Sequence, residues 1–218
     1  MPELLRKKID DHSMYALWNI TESVGELLGM IRLNKAEQEL FSSFVAESRQ
    51  KQWLAYRILV RSLLLPAHYP VEYDEAGKPY LAGPGIHISV THSGHLAAVI
   101  LSSAGRAGID LEAVKPKIER VKERYLSPEE LSGIGGPEAH DILTLAWCAK
   151  EALYKLYGHQ GLDFREEMRL DLPETMDYGA FTGEVLHAGK SHRYQLRYDR
   201  YYDHLLVYVL EEPSSQHQ

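Results

Sequence analysis

The stretch WCAKEALYK, residues 147–155, has the composition of a helix interior but contains one large aromatic residue and three charged ones. At about 3.6 residues per turn, Trp147, Glu151 and Lys155 fall near one stripe of the helix. One interpretation is a surface ion pair between Glu151 and Lys155 beside a tryptophan of the core. A second acidic motif upstream favours the alternative, that this stripe faces a functional site.

The second motif is GIDLE, residues 108–112, in a segment with the composition of a strand. Asp110 and Glu112 are two residues apart, so both side chains lie on one face of the strand, about 7 Å apart along it. Two carboxylates on a largely apolar strand repel each other unless a positive group lies between them. The pair therefore indicates a cation site, with a solvent-facing edge strand as the alternative.

Together the two motifs resemble the signature of the 4′-phosphopantetheinyl transferases, in which a G-[IV]-D-[ILV]-E strand is followed by a W-x-x-K-E-[AS]-x-x-K helix. Three further segments are similar to family motifs: WLAYRILVR at 53–61, GKP at 77–79 and ISVTHS at 88–93. The combination looks like the longer type of the family, which activates peptide, polyketide and fatty-acid synthases. The resemblance implies an α+β fold of two similar halves related by a pseudo-twofold axis, with antiparallel sheets packed against helices and the active site in the cleft between the halves.

The resemblance also implies the reaction, that of a 4′-phosphopantetheinyl transferase of the holo-[acyl-carrier-protein] synthase type. Such an enzyme transfers the 4′-phosphopantetheine arm of coenzyme A to a serine of an apo acyl or peptidyl carrier protein and releases 3′,5′-ADP. Asp110, Glu112 and Glu151 are the predicted metal ligands. Three carboxylates are too few for a calcium cage but suit Mg²⁺, or Mn²⁺, because these ions keep bound waters and take further oxygens from substrate phosphates.

The contacts to coenzyme A are predicted from the match to family positions. The chain departs from the family pattern at Gln52, where many relatives have a basic residue, and at Ser89, where asparagine is usual. The predicted contacts are Lys51 and Arg57 at the 3′-phosphate, and Lys78, Thr91, His92 and Lys155 at the other phosphates.

Four residues are predicted to act in catalysis. The resemblance implies that Lys155 and His92 stabilise charge on the phosphoryl oxygens, that Glu130 is the general base, and that Lys150 lies on the base side of the site. Ser127 and Glu130 also form the pattern of a helix capping box, so a structural role for Glu130 stays open.

Composition limits the other functions that the chain can have. Its 218 residues are 44% hydrophobic and 25% charged, as in an ordinary soluble globular protein. A formal net charge of −7 argues against nucleic-acid binding. A metal-dependent nuclease or phosphohydrolase is therefore the weaker alternative, beside a non-catalytic relative that binds coenzyme A or a carrier protein. The single cysteine, Cys148, cannot form an internal disulfide, and the sequence contains no signal-peptide or membrane-spanning run, so we expect a cytoplasmic protein with no membrane partner. The resemblance implies a monomer, because the longer type of the family places its site between two halves of one chain.

The order of the predicted elements divides the chain into an N-terminal half, residues 1–105, a C-terminal half, residues 106–211, and a flexible tail, residues 212–218. The N-terminal half is expected to contribute the contacts to the phosphates of coenzyme A. The C-terminal half is expected to contribute the metal ligands and the catalytic residues.

Two predicted elements bear directly on the site. Residues 95–102 and 107–112 are predicted as strands joined by a turn at 103–106, which together form a β-hairpin. A long helix is predicted from Glu138 to Tyr157, and Gly158 is expected to end it.

Overall fold

The computed structural model describes residues 3–65, 67, 69–83, 85–173, 176 and 179–211. Within these ranges the chain forms helices and antiparallel sheets, so the predicted α+β class is confirmed. The helices are α1 (Val24–Met30), α2 (Lys35–Ser42), α3 (Glu47–Leu64), α4 (Pro128–Ser132) and α5 (Ala139–Tyr157). The strands are β1 (Glu3–Lys8), β2 (Ser13–Asn19), β3 (Val71–Tyr73), β4 (Pro79–Leu81), β5 (His87–Ser93), β6 (Leu96–Ser102), β7 (Ala107–Ala113), β8 (Met168–Asp171), β9 (Ala180–His187), β10 (Lys190–Tyr201) and β11 (His204–Leu210).

The first sheet has the strand order β1-β2-β6-β5 and packs against α3. Trp53 and Leu54 of α3 are fully buried together with Val99 of β6, so one face of the helix covers the sheet. The helix ends at Leu64 because Leu65, with a ψ of 137°, is extended, as the residue before a proline generally is.

The second sheet has the order β7-β11-β10-β9-β8 and packs against α5. Gly108 of β7 allows a close approach, because a Cβ atom there would lie only 1.9 Å from the carbonyl oxygen of Ala152 on α5. Gly158 has a φ of 72° and ends α5 in the left-handed conformation, as predicted. The glycine of the GIDLE motif therefore places the acidic strand directly against the tryptophan-bearing helix.

The predicted β-hairpin of residues 95–102 and 107–112 is wrong. Both segments are strands, but β6 pairs with β2 and β5 in the first sheet, whereas β7 pairs with β11 in the second. The turn between them leads the chain from one sheet to the other. Arg106 fixes this path, because its guanidinium donates to Glu211 at 2.7 Å and to the carbonyl oxygen of Tyr157 at 3.0 Å.

The edge strands β5 and β7 lie side by side where the two sheets meet. Hydroxyl groups of β5 accept hydrogen bonds from the backbone of β7 at this junction. The amide of Ile109 donates to Ser89 Oγ at 3.2 Å, and the amide of Ala113 donates to Ser93 Oγ at 3.4 Å. The two sheets are thus connected here through side chains, and the same strands carry four of the predicted site residues, Thr91, His92, Asp110 and Glu112.

The strands of the first sheet all lie within residues 1–105, and those of the second within residues 106–211. A pseudo-twofold relation between the two parts stays a prediction, and the predicted tail, residues 212–218, lies outside the described residues. No helix in the described part of the chain is both long and apolar enough to cross a membrane.

Candidate active site

Asp110 is the buried centre of the candidate site. Its Oδ1 atom accepts a hydrogen bond from Lys155 Nζ at 2.7 Å and another from the Thr91 hydroxyl at 2.9 Å. Its Oδ2 atom is buried and has no hydrogen-bond partner among the described residues. The structure therefore brings together three predicted site residues from β5, β7 and α5, and it leaves one carboxylate oxygen without a donor.

Glu112 and Glu151 add two more carboxylates to the same region. Burial raises the pKa of Glu112, and the neighbouring Asp110 raises it further, although the Ser93 hydroxyl donates to Glu112 Oε2 at 2.9 Å and acts in the opposite direction. Burial also raises the pKa of Glu151, and Asp110 and Glu112 contribute to this increase. Acidic neighbours thus lie close enough to disfavour the charge of Glu112 and of Glu151. Because Lys155 pairs with Asp110, the sequence-based alternative of a simple surface pair between Glu151 and Lys155 does not describe this lysine.

The chemistry of this cluster fits a hard divalent cation. Oxygen ligands from carboxylates are those that Mg²⁺ and Mn²⁺ prefer. Such an ion would satisfy Asp110 Oδ2, which has no partner among the described residues, and would offset the burial and the acidic neighbours that raise the pKa of Glu112 and of Glu151. In the described ranges, no group of three or more His, Cys, Asp or Glu side chains is already arranged as a metal cage.

A cavity of about 690 Å³ opens beside the cluster, between the helix α5 and the segment that follows β7. Trp147 forms part of its wall and packs edge-on against Tyr125, with ring centroids 5.1 Å apart. The tryptophan of the WCAKEALYK motif therefore shapes a cavity instead of filling the core. The lining includes Glu112, Glu151, Trp147, Phe164, Tyr125, Lys115, Lys117 and Arg124.

A second cavity, of about 260 Å³, lies on the other side of Lys155. Its wall includes Lys78, Tyr154 and Ser89, which come from both halves of the chain. Lys78 Nζ donates to the carbonyl oxygen of Lys155 at 2.6 Å. Burial lowers the pKa of Lys78, and the nearby Arg106 lowers it further. Lys155 thus connects the acidic cluster to a small cavity that already contains a cationic side chain.

His92 lies next to a cation that the sequence analysis did not include in the site. Arg49 Nη1 is 3.0 Å from His92 Nε2, and because a guanidinium can only donate, this nitrogen of the imidazole accepts and carries no proton. Burial lowers the pKa of His92, and Arg49 and Lys155 lower it further. His92 is therefore a neutral imidazole between two cations.

The two residues predicted at the 3′-phosphate have different surroundings. Lys51 forms an ion pair with Glu47 one turn earlier on α3, with a separation of 3.0 Å. Arg57 is only 2% exposed, its guanidinium lies 3.9 Å from the centroid of the Trp53 ring, and its Nε atom is 3.4 Å from Glu37. Arg57 is a core residue in this structure.

Glu130 and Lys150 form a buried ion pair of 2.8 Å behind the wall of the larger cavity. Lys150 is fully buried and also donates to the carbonyl oxygens of Tyr125, Phe164 and Met168. Glu130 accepts from Lys150 and from the amides of Ser127 and Leu170, and the predicted capping box of α4 is present. Neither side chain lines the cavity, so their placement favours a structural role over a direct role in catalysis.

Sequence analysis missed Arg49 and Ser93 as members of the site. Ser89, Thr91 and Ser93 alternate along β5, and this spacing places all three hydroxyls on the face that meets β7. That alternation was the available signal for Ser93. Arg49 gives a weaker signal, because it is one of several basic residues in the same helix.

Comparison with known proteins adds evidence from sequence similarity. Residues 106–207 match the family model of the 4′-phosphopantetheinyl transferase superfamily. A putative 4′-phosphopantetheinyl transferase of Synechocystis sp. is 33% identical over 115 residues, which are 48% of this chain and 47% of the relative. The 4′-phosphopantetheinyl transferase HetI of Nostoc sp. is 27% identical over 158 residues, which are 66% of each chain. A 4′-phosphopantetheinyl transferase of Bacillus subtilis is 28% identical over 143 residues, which are 56% of this chain and 63% of the relative. The matched part of the chain thus spans between about half and two thirds of the length of these relatives. The matched residues include the acidic strand and the tryptophan-bearing helix, so residues 106–207 are assigned to the 4′-phosphopantetheinyl transferase superfamily.

Proposed function

We propose that this protein transfers the 4′-phosphopantetheine arm of coenzyme A to a serine of an apo acyl or peptidyl carrier protein and releases 3′,5′-ADP. The observation that carries the proposal is the cluster of Asp110, Glu112 and Glu151 around Lys155, between a large cavity and a small cationic one. The names of the relatives support the same reaction. Assignment to the longer type of the family stays a prediction.

Asp110, Glu112 and Glu151 would hold a divalent cation, for which Mg²⁺ is the first candidate. When bound, it supplies positive charge to the phosphoryl oxygens as their charge shifts during transfer. Asp110 would keep its contact with Lys155 through Oδ1 and offer the unpartnered Oδ2 to the ion. The chain would thus provide a lysine and a metal site side by side.

The cationic side chains would orient coenzyme A. Lys155 and Lys78 lie together at the smaller cavity and would contact the pyrophosphate. Arg49 and Lys51, with the neutral His92, would form the outer contacts to phosphate. Arg57 has no part in this proposal because it is buried in the core.

In the reaction, the serine oxygen of the carrier protein forms a bond to the β-phosphorus, and the bond from that phosphorus to the bridging oxygen of the pyrophosphate breaks. The leaving group is 3′,5′-ADP, and the serine proton needs an acceptor at the cavity. Glu130 is buried behind the wall of the cavity and paired with Lys150, and this placement disfavours it as the acceptor.

The decisive experiment incubates the purified protein with coenzyme A, Mg²⁺ and a panel of apo carrier proteins, and measures intact mass. We expect at least one carrier protein to gain the mass of one phosphopantetheine arm, and the gain to require the divalent cation.

Glu151→Gln serves as the test of the metal site, and Glu166→Gln, at a side chain that is 74% exposed, serves as the matched control. We expect the transfer rate of the first variant to be at least about 100-fold lower than that of the wild type, because a carboxylate ligand is replaced by a neutral amide of the same size. The control should retain the wild-type rate. Full transfer by Glu151→Gln at saturating coenzyme A would show that the metal assignment is wrong.

A further inference from the structure

A second pair of ligating side chains lies at the far end of the junction between β5 and β7, where the β10–β11 hairpin meets the turn between β5 and β6. His204 is the first residue of β11 and pairs across the sheet with Ala113, the last residue of β7. Its Nδ1 atom is 2.8 Å from Asp203 Oδ1. An ionised carboxylate can only accept, so Nδ1 carries the proton of this hydrogen bond.

The other ring nitrogen of His204 has no partner. The residue is 3% exposed, and its Nε2 atom is buried without a hydrogen bond among the described residues. When the ring carries a single proton, on Nδ1, its Nε2 atom offers a lone pair. A buried polar atom without a partner is costly, so a native protein generally supplies one. The missing partner of Nε2 must be a donor or a cation.

A second imidazole lies beside this nitrogen. His95 is exposed in the turn between β5 and β6, and the centroids of the His95 and His204 rings are 5.8 Å apart at an interplanar angle of 79°. Two imidazoles that bind one tetrahedral ion at the usual nitrogen–metal distance have ring centroids roughly 5–6 Å apart. Gly94 keeps space open here, since even an added Cβ would lie 3.8 Å from His204 Nε2.

We propose that His95 and His204 bind a divalent transition-metal ion of the zinc class, with Asp203 as the outer carboxylate that orients His204. A histidine ligand of zinc generally donates its other ring N–H to a carboxylate, which is the arrangement of Asp203 and His204. Two protein ligands leave the remaining positions to water. The proposal does not depend on the proposed transferase function.

This site differs in chemistry and in effect from the acidic cluster. Imidazole nitrogens select zinc-class ions, whereas carboxylate oxygens suit Mg²⁺. His95 belongs to the first sheet and His204 to the second, so an ion held by both would link the two sheets. We therefore expect its binding to stabilise the folded chain against heat.

The test uses the full chain, freed of metal by a chelator and kept in saturating Mg²⁺ so that the acidic cluster does not take up zinc. Thermal unfolding is followed while Zn²⁺ is added, and the visible absorption of Co²⁺ reports nitrogen ligation directly. We expect one equivalent to bind and to raise the unfolding temperature. His95→Ala and Asp203→Asn should each weaken binding at least tenfold, a conservative threshold for losing a ligand or its orienting carboxylate.

These two variants are chosen because His95 and the Asp203 side chain are exposed, so neither change removes packing from the core. His140→Ala, at an exposed histidine elsewhere, is the control that should bind as the wild type does. His187→Ala tests the other close imidazole pair, His159 and His187, whose rings are 4.2 Å apart.

Equal affinity of wild type and His95→Ala would overturn the proposal. Loss of zinc binding in His187→Ala alone would also overturn it, because the ion would then belong to the pair of His159 and His187. The proposal would be wrong as well if Zn²⁺ did not stabilise the wild type. In the supporting outcome, the ¹⁵N resonance of His204 Nε2 also shifts on addition of Zn²⁺, and that of Nδ1 moves less.

Discussion

At the scale of single residues, Asp110 determines how the candidate site is built. One of its oxygens accepts hydrogen bonds from a charged and a neutral donor, Lys155 and Thr91, while the other accepts none from the described part of the chain. Hydrogen bonds to a charged group are stronger than neutral ones, so Lys155 and Thr91 hold the carboxylate in one orientation. The free oxygen consequently points in a fixed direction before any ligand arrives.

His92 provides a test of the electrostatics at this scale. Burial, Arg49 and Lys155 all lower its pKa, so we expect it to titrate below the ordinary value of 6.5. In the unfolded chain it takes up a proton near 6.5, and it does so only at lower pH in the folded chain. The unfolded state therefore binds more protons in this window, and the contribution of His92 to stability falls as the pH falls below 6.5.

The corresponding experiment is an NMR titration of the His92 ring in the wild type and in Arg49→Gln. The glutamine can still donate to Nε2 but removes a positive charge, so the midpoint should rise towards 6.5. Arg193→Gln, at a side chain that is 74% exposed, should leave the midpoint unchanged. A midpoint that stays the same in Arg49→Gln would show that this guanidinium does not act on His92.

The sequence predicted which residues match family motifs better than it predicted the surroundings of their side chains. Arg57 was predicted to contact phosphate because it lies in a helix that resembles a family motif. The structure buries it, and the reason is visible in the run WLAYRILV, where it is flanked by apolar side chains that cover the sheet. A motif match identifies a position in the chain, but the direction of a side chain depends on which face of the helix packs.

At the scale of elements, α4 and α5 are joined by the buried pair of Glu130 and Lys150. Lys150 Nζ is surrounded by the Glu130 carboxylate and three backbone carbonyl oxygens, so its desolvation is compensated by four acceptors. Burial nevertheless lowers the pKa of Lys150, with the Glu130 carboxylate acting in the opposite direction. This lysine therefore holds the segments around Tyr125 and Phe164 against α5, and with them the aromatic wall of the cavity.

Replacing Lys150 by methionine tests this role. The change keeps the length of the side chain but leaves Glu130 as a buried charge without its cation, and we expect a loss of about 3–5 kcal/mol in the free energy of unfolding. Chemical denaturation of variant and wild type measures the difference. A variant that unfolds at the wild-type denaturant concentration would show that the pair does not stabilise the fold.

Glu130→Gln separates the structural role of Glu130 from the role of general base. If the residue is structural, the variant unfolds more easily but retains transfer in proportion to its folded fraction. If transfer is lost while the unfolding midpoint is unchanged, the general-base assignment implied by the family resemblance is correct and ours is wrong.

Elements set by local rules were predicted well. The capping box at Ser127 and the glycine at position 158 mark helix ends through contacts within a few residues, and both are present in the structure. Local rules of this kind could not decide whether β6 pairs with β7. The turn at residues 103–106 looks the same whether it closes a hairpin or leads to another sheet, and only the distant contact of Arg106 with Glu211 distinguishes the two.

At the scale of the whole molecule, the two sheets are held together by an apolar cluster and by a polar contact within it. Tyr15 of β2 packs among residues of both sheets, and its hydroxyl donates to Asp199 at 2.6 Å. Lys7 also binds Asp199, at 2.7 Å. Tyr15 thus contributes both packing and one side of a hydrogen-bonded network between the two parts of the chain.

Tyr15→Phe should therefore cost about 1–3 kcal/mol, since it removes a buried donor and leaves its acceptor with one partner fewer. Tyr80→Phe is the matched control, because Tyr80 is 43% exposed and its hydroxyl donates to Glu72 near the surface. We expect the control to change the free energy of unfolding much less. Equal effects of the two substitutions in urea denaturation would contradict a special role for the contact between the sheets.

The meeting of β5 and β7 has a consequence for solubility. Each is the outermost strand of its sheet, and an outermost strand with unsatisfied amides readily recruits a strand from another molecule. In the intact chain β5 and β7 shield each other, and the hydroxyls of Ser89 and Ser93 accept hydrogen bonds from backbone amides of β7. A fragment that begins at residue 106 would expose that side of β7, and we expect it to self-associate, so the contact between β5 and β7 also keeps separate copies of the chain apart.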